Sequence, residues 1–151
     1  MPIIFQLSEF TKAPRGSYAF DFWVHPVLIP SVLGLFAVEL RPDIGEPDLQ
    51  MVNEAERLVS FMQANPDKLL DKVYEHYRGF DAHSEWLASC DVPEKLKKDE
   101  LPPYLVVRDI VVIRDEGMQT LSSCFYISPQ WDTEHAICLE LRGIELEYCD
   151  F

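Results

Sequence analysis

The chain is poor in basic side chains, with 13 lysines and arginines against 26 aspartates and glutamates among 151 residues, and a formal net charge of −13. Such an excess of negative charge repels nucleic acid and anionic membranes, and it speeds encounter with basic partners. The sequence also lacks an apolar run of membrane-spanning length, and its N-terminus lacks the basic and apolar regions of a secretory signal. We therefore expect a cytoplasmic protein that binds neither nucleic acid nor membrane.

The motifs of the common enzyme classes are missing as well. There is no GxSxG nucleophile elbow, no phosphate-binding GxGxxG or GxxxxGK[ST], no HExxH and no EF-hand loop. The cysteines form no CxxC pair, so a zinc knuckle or a redox motif is not indicated, and we expect four free thiols at Cys90, Cys124, Cys138 and Cys149. These absences favour a protein that is not an enzyme and that holds no metal or cofactor.

The composition is that of a globular domain. Apolar residues make up 48% of the chain and charged residues 26%, and the length fits one domain spanning 1–151. The negative charge is concentrated in two regions: residues 41–90 carry ten acids against five bases, and residues 131–151 carry six against one. The favoured interpretation of this charge is a solvated acidic surface, and a binding surface is the alternative.

Alternating apolar residues predict strands at 3–10 and 18–24, and strand character returns at 32–40, 106–113 and 121–128, with turns at 14–17 and 115–117. Helical spacing predicts one helix that begins near Pro47 and another from Pro66, with Asn65 as its cap and Gly79 at its end. Short helical turns are predicted at 84–90 and 93–98. The order of three strands, two helices and about four strands indicates an α+β fold, with antiparallel sheets and a central αα-hairpin.

The C-terminal residues predict a β-hairpin. Alternation over 137–148 is interrupted only by Arg142-Gly143, and a glycine supplies the positive φ that a two-residue turn needs. With these two residues as the turn, the paired residues would be Leu141 and Ile144, Leu139 and Leu146, and Ile137 and Tyr148.

The other face of this hairpin is acidic. The same register places Glu140 across from Glu145, Glu147 beside Cys138, and Cys149 opposite Ala136. Like charges that face each other across strands destabilise a sheet, so this face must point at water, at a cation or at a basic partner. Glu140, Glu145 and Glu147 are therefore the candidate partner-binding residues.

A second candidate cluster precedes the hairpin. Asp132, Glu134 and His135 combine carboxylates with an imidazole, and these groups serve as general acids and bases and as metal ligands. The structural interpretation is a turn in which Asp132 accepts hydrogen bonds from nearby backbone N–H groups, with Trp131 in the core and His135 satisfied by a neighbour. It is favoured, because the sequence shows no second ligand set and no nucleophile motif.

The string Trp131-Asp-Thr-Glu-His-Ala136, followed by a strand, a glycine turn and an acidic, aromatic last strand, resembles the end of an uncharacterised bacterial domain family with a Trp-Asp-x-Glu-His-Gly-Leu pattern there. The helix that starts at Asn65-Pro66 and carries Tyr74 and Tyr77 is similar to the same family, so the resemblance extends over residues 45–151. The chain departs from the pattern at Ala136, and its N-terminal strands match poorly. The resemblance implies no catalytic residues, and it implies a relation to small acidic domains regarded as immunity proteins against toxins.

Three functional hypotheses follow. The first is a non-enzymatic acidic binding protein, of the bacterial immunity type, that neutralises a basic protein partner by covering its site. The second is a hydrolase, metal-dependent or acid–base, that uses Asp132, Glu134 and His135. A third possibility is an interaction domain whose acidic surface has no special use. The sequence leaves the oligomeric state open.

Overall fold

Eight strands form one sheet in the structure, a computed structural model that describes residues 4–13, 21–80, 82–115, 117 and 119–149. Along the sheet the order is β1-β2-β4-β5-β6-β7-β8, and β3 pairs with β4 as a separate short strand. The strands are β1 Thr11–Lys12, β2 Trp23–Val24, β3 Ile29–Ser31, β4 Gly34–Pro42, β5 Leu105–Asp115, β6 Thr120–Pro129, β7 Ile137–Arg142 and β8 Glu145–Tyr148.

The helices lie between β4 and β5 in the chain. They are α1 Leu49–Ala64, α2 Pro66–Arg78 and α3 Ser84–Ser89, and 3-10 turns span Leu7–Glu9, Lys98–Glu100 and Pro102–Tyr104. Helix α1 packs against β3, β4, β5 and β6, whereas α2 packs against β8. The predicted α+β class, with strands before and after a helical centre, is confirmed.

One strand pair departs from the predicted antiparallel arrangement. The strands β4 and β5 run parallel, with Val38 beside Ile110 and Leu40 beside Val112. A parallel pair needs a long crossover connection, and the helical segment between the two strands supplies it. All other strand pairs in the described part of the chain are antiparallel.

The strand predicted at 3–10 is wrong. Residues Leu7–Glu9 form a 3-10 turn, because Glu9 Oε1 accepts the backbone N–H of Gln6 at 2.7 Å, and only Thr11–Lys12 are strand. The turn lets Phe5 and Phe10 both enter the core. In a regular strand these two residues, five positions apart, would point to opposite faces of the sheet. Of the strand predicted at 18–24, the structure has Trp23–Val24; its first residues and the turn at 14–17 lie outside the described residues.

The helix termini differ from prediction in detail. Asp48 caps α1, since its Oδ1 accepts the N–H of Met51 at 3.1 Å, so Pro47 precedes the helix. The start of α2 at Pro66 and its end before Gly79 are confirmed. Asn65 does not cap α2: its Nδ2 donates to Phe61 O at 3.1 Å, which satisfies a carbonyl at the end of α1.

The short turns in the connection to β5 are partly as predicted. The helical turn predicted at 84–90 is confirmed as α3. The one predicted at 93–98 is wrong, because the 3-10 turns come later, at Lys98–Glu100 and Pro102–Tyr104.

The terminal hairpin is confirmed, but its turn is Gly143-Ile144. The observed partners are Arg142 with Glu145, Leu141 with Leu146, Glu140 with Glu147 and Leu139 with Tyr148. Gly143 has φ +63°, and Ile144 keeps a negative φ. A turn with positive φ only at its first central residue takes glycine there, whereas the predicted turn would place Arg142 in that conformation.

The core lies between the helices and one face of the sheet. Along β4, β5 and β6 the buried residues of this inner face alternate with others that point away: they are Phe36, Val38, Leu40, Ile110, Val112, Phe125 and Ile127. Leu139, Leu141 and Leu146 extend the same face across the hairpin. The helices contribute residues such as Leu58, Val59 and Val73, all fully buried.

Candidate functional site

The opposite face of the sheet, here called the outer face, is the candidate site. Its residues alternate with the core residues along β4 to β8; they are Ala37, Glu39, Arg41, Asp109, Val111, Ile113, Cys124, Tyr126, Ser128, Cys138, Glu140, Arg142, Glu145, Glu147 and Cys149. In the described ranges, the buried side chains of the helices pack in the core on the inner face of the sheet. None of the outer-face residues named above belongs to that core. With Asp115, which the same alternation along β5 places on this face, the outer face carries six carboxylates and two guanidinium groups.

The three predicted partner-binding residues share the hairpin end of this face. Glu140 lies opposite Glu147, and Glu145 lies opposite Arg142, so the prediction that Glu140 faces Glu145 is wrong. Arg142 stands among the acids: its Nη2 lies 3.4 Å from Glu140 and its Nε lies 3.2 Å from Glu147. The like-charge pair is thus partly neutralised, and the cluster stays exposed and net negative.

The corrected register also moves a cysteine. Cys149 donates its N–H to Cys138 O at 3.0 Å, so its partner is Cys138 and the predicted pairing with Ala136 is wrong. All four cysteines are free thiols. A hydrogen bond with Cys138, together with burial, raises the pKa of Cys124, so this thiol stays protonated and acts as an apolar filler of the outer face.

A groove of about 640 Å³ crosses the other half of the outer face. Pockets that bind small ligands or side chains are typically about 300–1,000 Å³. Apolar walls come from Val24, Ala37, Val107 and Ile113, aromatic rings from Phe22 and Tyr126, and polar groups from Glu39, Arg41, Asp109 and Ser128.

The charges in the groove are unequally matched. Arg41 Nη2 donates to Glu39 Oε2 at 2.9 Å, and the Glu39 side chain is only 9% exposed, so these two charges form a nearly buried pair. Arg108, the neighbour of Asp109 in the chain, uses its guanidinium on the carbonyls of Leu35 and Leu105. Asp109 therefore stands in the groove without a hydrogen bond or ion pair to another described residue.

This isolation changes the ionisation of Asp109. Burial and the nearby carboxylate of Glu39 raise the pKa of Asp109 to about 6, and the attraction of Arg41 and Arg108 offsets only part of that. A carboxyl group with a raised pKa inside a cavity is a frequent property of functional sites.

We expect Asp109→Asn to stabilise the protein in a pH-dependent way. Because the folded-state pKa lies above the unfolded value, the contribution of Asp109 to stability is complete at low pH and is lost as the pH rises through about 6. Asparagine removes this loss. Between pH 5 and pH 8 the unfolding free energy of the variant should therefore gain about 1 kcal/mol on that of the native protein, after a discount for solvent screening. Urea unfolding at both pH values measures it, and an equal difference at pH 5 and pH 8 would contradict the assignment.

The segment 131–135 is built as a turn. Asp132 Oδ1 accepts the backbone N–H groups of Glu134 at 3.2 Å and His135 at 3.0 Å, which confirms its predicted turn-forming role. The His135 side chain is 76% exposed, and its Nδ1 lies 3.5 Å from the same oxygen. The segment Asp132 to Ala136 borders a cleft of about 330 Å³ that also touches Tyr126 and Ser128 of the groove.

Trp131 lies in the core, as predicted, and is fully buried. Its indole N–H donates to His76 Nδ1 at 3.0 Å, and its ring meets Tyr77 edge to face at 5.2 Å. Its carbonyl accepts the indole N–H of Trp86 at 2.6 Å. Trp131 thus joins the end of β6 to α2 and α3, and burial lowers the pKa of His76, so that imidazole is neutral and accepts the bond.

The described part of the chain shows neither a metal-binding group of side chains nor a membrane-spanning helix. No group of three or more histidine, cysteine, aspartate or glutamate side chains is placed to hold a metal ion. None of the helices there combines the length and the apolar character needed to cross a membrane.

Comparisons of the chain with protein-family models, with curated proteins and with solved structures found no match. The resemblance of residues 131–136 to a bacterial domain family, and its implied relation to immunity proteins, stays a prediction.

The groove residues Glu39, Arg41 and Asp109 were not among the candidates from the sequence. One local signal was present: Asp109 interrupts the apolar strand between Val107 and Val111, and an acid within such a strand needs a reason. The pairing of β4 with β5 could not be predicted from the sequence, because the helical connection separates the two strands in the chain.

Proposed function

We propose that the protein is a non-enzymatic binding protein that takes a basic protein partner onto the outer face of its sheet. The observation that carries the proposal is the charge of this face: six carboxylates against two guanidinium groups, on the side of the sheet away from the helices. The matched pair of Glu39 and Arg41 leaves Asp109 and the hairpin acids as the attractive charges.

The distribution of these charges suits a partner with several basic residues. Glu140 and Glu147 keep 38% and 56% of their side chains exposed, so a partner can approach them without desolvating a buried group. Complementary charge of this kind raises the association rate and selects against acidic proteins. It is screened by salt, with a range of about 8–10 Å at physiological ionic strength.

In its narrower form, the proposal is a cytoplasmic bacterial protein of the immunity type, whose partner is a basic toxin. The support is the resemblance at residues 131–136 and, for the compartment, the four free thiols. An immunity protein acts by covering the site of its toxin, and a sheet face with a net negative charge can do so without catalytic residues.

A hydrolase that uses Asp132, Glu134 and His135 is the second candidate, and the cleft of about 330 Å³ beside them favours it. It is the weaker candidate, because both backbone bonds of the turn already use Asp132 Oδ1. Metal analysis of protein purified without chelator, with His135→Ala for comparison, tests it: metal that is present in the native protein and lost in the variant would favour the hydrolase.

Affinity capture from the native host at two salt concentrations tests the binding proposal. We expect one basic protein to be recovered at about 50 mM salt and to be released at about 500 mM, because the screening length falls severalfold over this range. Recovery of no basic partner at low salt, or of a partner whose retention ignores salt, would contradict an electrostatic docking face.

A further inference from the structure

The groove beside the acidic hairpin has the features of a receptor for one cationic side chain. It is bounded by β2, β4, β5 and β6, and its volume of about 640 Å³ is ample for one long side chain. Of its polar groups Glu39 is buried, with only 7% exposed, and its rings belong to Phe22 and Tyr126.

The charge balance decides which ligand fits. Arg41 is engaged by Glu39 at 2.9 Å, so an anionic ligand would have to compete with a nearly buried carboxylate for that guanidinium. Among the described residues that line the groove, none pairs with Asp109 in this way, and when Asp109 is ionised they carry two negative charges, on Glu39 and Asp109, against the one positive charge of Arg41. A cation is therefore the matching ligand.

The walls favour a guanidinium over a compact ammonium group. Tyr126 lies across from Asp109 in the β5–β6 register, so an aromatic ring stands beside the unmatched carboxylate. A planar guanidinium can stack on such a ring and bond to a carboxylate at the same time.

We propose that the groove binds the side chain of an arginine supplied by the basic protein partner, with its guanidinium between Asp109 and the rings of Tyr126 and Phe22. The inference rests on the proposed function, and it adds the anchoring position and the residue type that the partner must present. The exposed hairpin acids attract the partner, and the groove then selects for arginine.

Binding should depend on pH through Asp109. The groups around it are Glu39 and Arg41 on β4, Arg108 on β5 and Tyr126 on β6, while β2 contributes no charge. The ionised form of Asp109 forms a charge-assisted pair with a guanidinium, which the protonated form does not. With a pKa of about 6, the ionised fraction, and with it the apparent affinity, rises roughly tenfold between pH 5 and pH 7.

The test uses the full chain and the peptide acetyl-Gly-Arg-Gly-amide, with the uncharged citrulline peptide of the same shape as the control ligand. Backbone amide shifts in a titration followed by NMR report both the site and the affinity. We expect shifts at Ala37, Glu39, Asp109 and Tyr126 with the arginine peptide, roughly tenfold tighter at pH 7 than at pH 5, and none with citrulline.

Variants separate the groove from the hairpin. Asp109→Asn, which should leave the fold intact, is expected to abolish the pH dependence and most of the affinity, while Asp115→Asn on the same strand should leave both unchanged. Shifts confined to β7 and β8, equal binding of the citrulline peptide, or native affinity in Asp109→Asn would overturn the inference. Shifts confined to β7 and β8 would leave the proposed function standing. If the groove binds the arginine peptide but affinity capture recovers no basic partner, only the proposed function is contradicted.

Discussion

Replacement of Trp131 by alanine is expected to lower the free energy of unfolding by about 3–5 kcal/mol, the usual range for a large aromatic side chain removed from a core. The indole is fully buried and is held by His76 and Tyr77 of α2, so its removal opens a cavity between the end of β6 and the helices. Since domains of this size are stable by about 5–15 kcal/mol, the loss is a large part of the total.

Trp131→Phe separates packing from hydrogen bonding. Phenylalanine keeps much of the ring but leaves His76 Nδ1 without its donor, which should cost about 1–3 kcal/mol. Urea unfolding of both variants measures the two effects. A loss below about 1 kcal/mol for Trp131→Ala would mean that Trp131 does not connect the sheet to the helices.

The order of the elements could be predicted because its signals are local. Pro66 marks the start of α2, and the turn near Gly117 separates two segments of strand character. The hairpin turn lies one residue later than predicted, since a glycine fits either central position of a two-residue turn, and only the observed backbone shows that Gly143 comes first and that Ile144 keeps a negative φ.

The candidate site was predictable only in part. Glu140, Glu145 and Glu147 lie in one hairpin, so alternation alone places them on one face. Their association with Arg142 depends on the register and could not be read from the pattern. Glu39 and Asp109 are far apart in the chain, and the parallel pairing of β4 with β5 brings them into one groove.

The second large effect is expected from reversal of the hairpin charges. Changing Glu140, Glu145 and Glu147 together to lysine turns this end of the outer face positive, and like charges across an interface cost several kcal/mol. We expect the affinity for the captured basic partner to fall roughly 100-fold or more at low salt. The triple change to glutamine, which only removes charge, should give a smaller loss and guards against misfolding of the lysine variant.

Two controls fix the interpretation. Lysine at Glu85, Glu94 and Asp99 changes the net charge of the protein by the same amount, but these exposed acids belong to the helical connection and to its turns. This variant should lose little affinity. Arg142→Gln should act in the opposite direction and strengthen binding, because it removes the cation that neutralises Glu140 and Glu147.

The most direct measurement is therefore the dissociation constant of the captured partner for the native protein, the hairpin reversal, the helical reversal and Arg142→Gln, each at low and high salt. An outer face that binds by charge predicts a large loss only for the hairpin reversal, a gain for Arg142→Gln, and convergence of all four at high salt. Equal losses for the two reversals would show that only net charge matters and would contradict a docking site on the outer face.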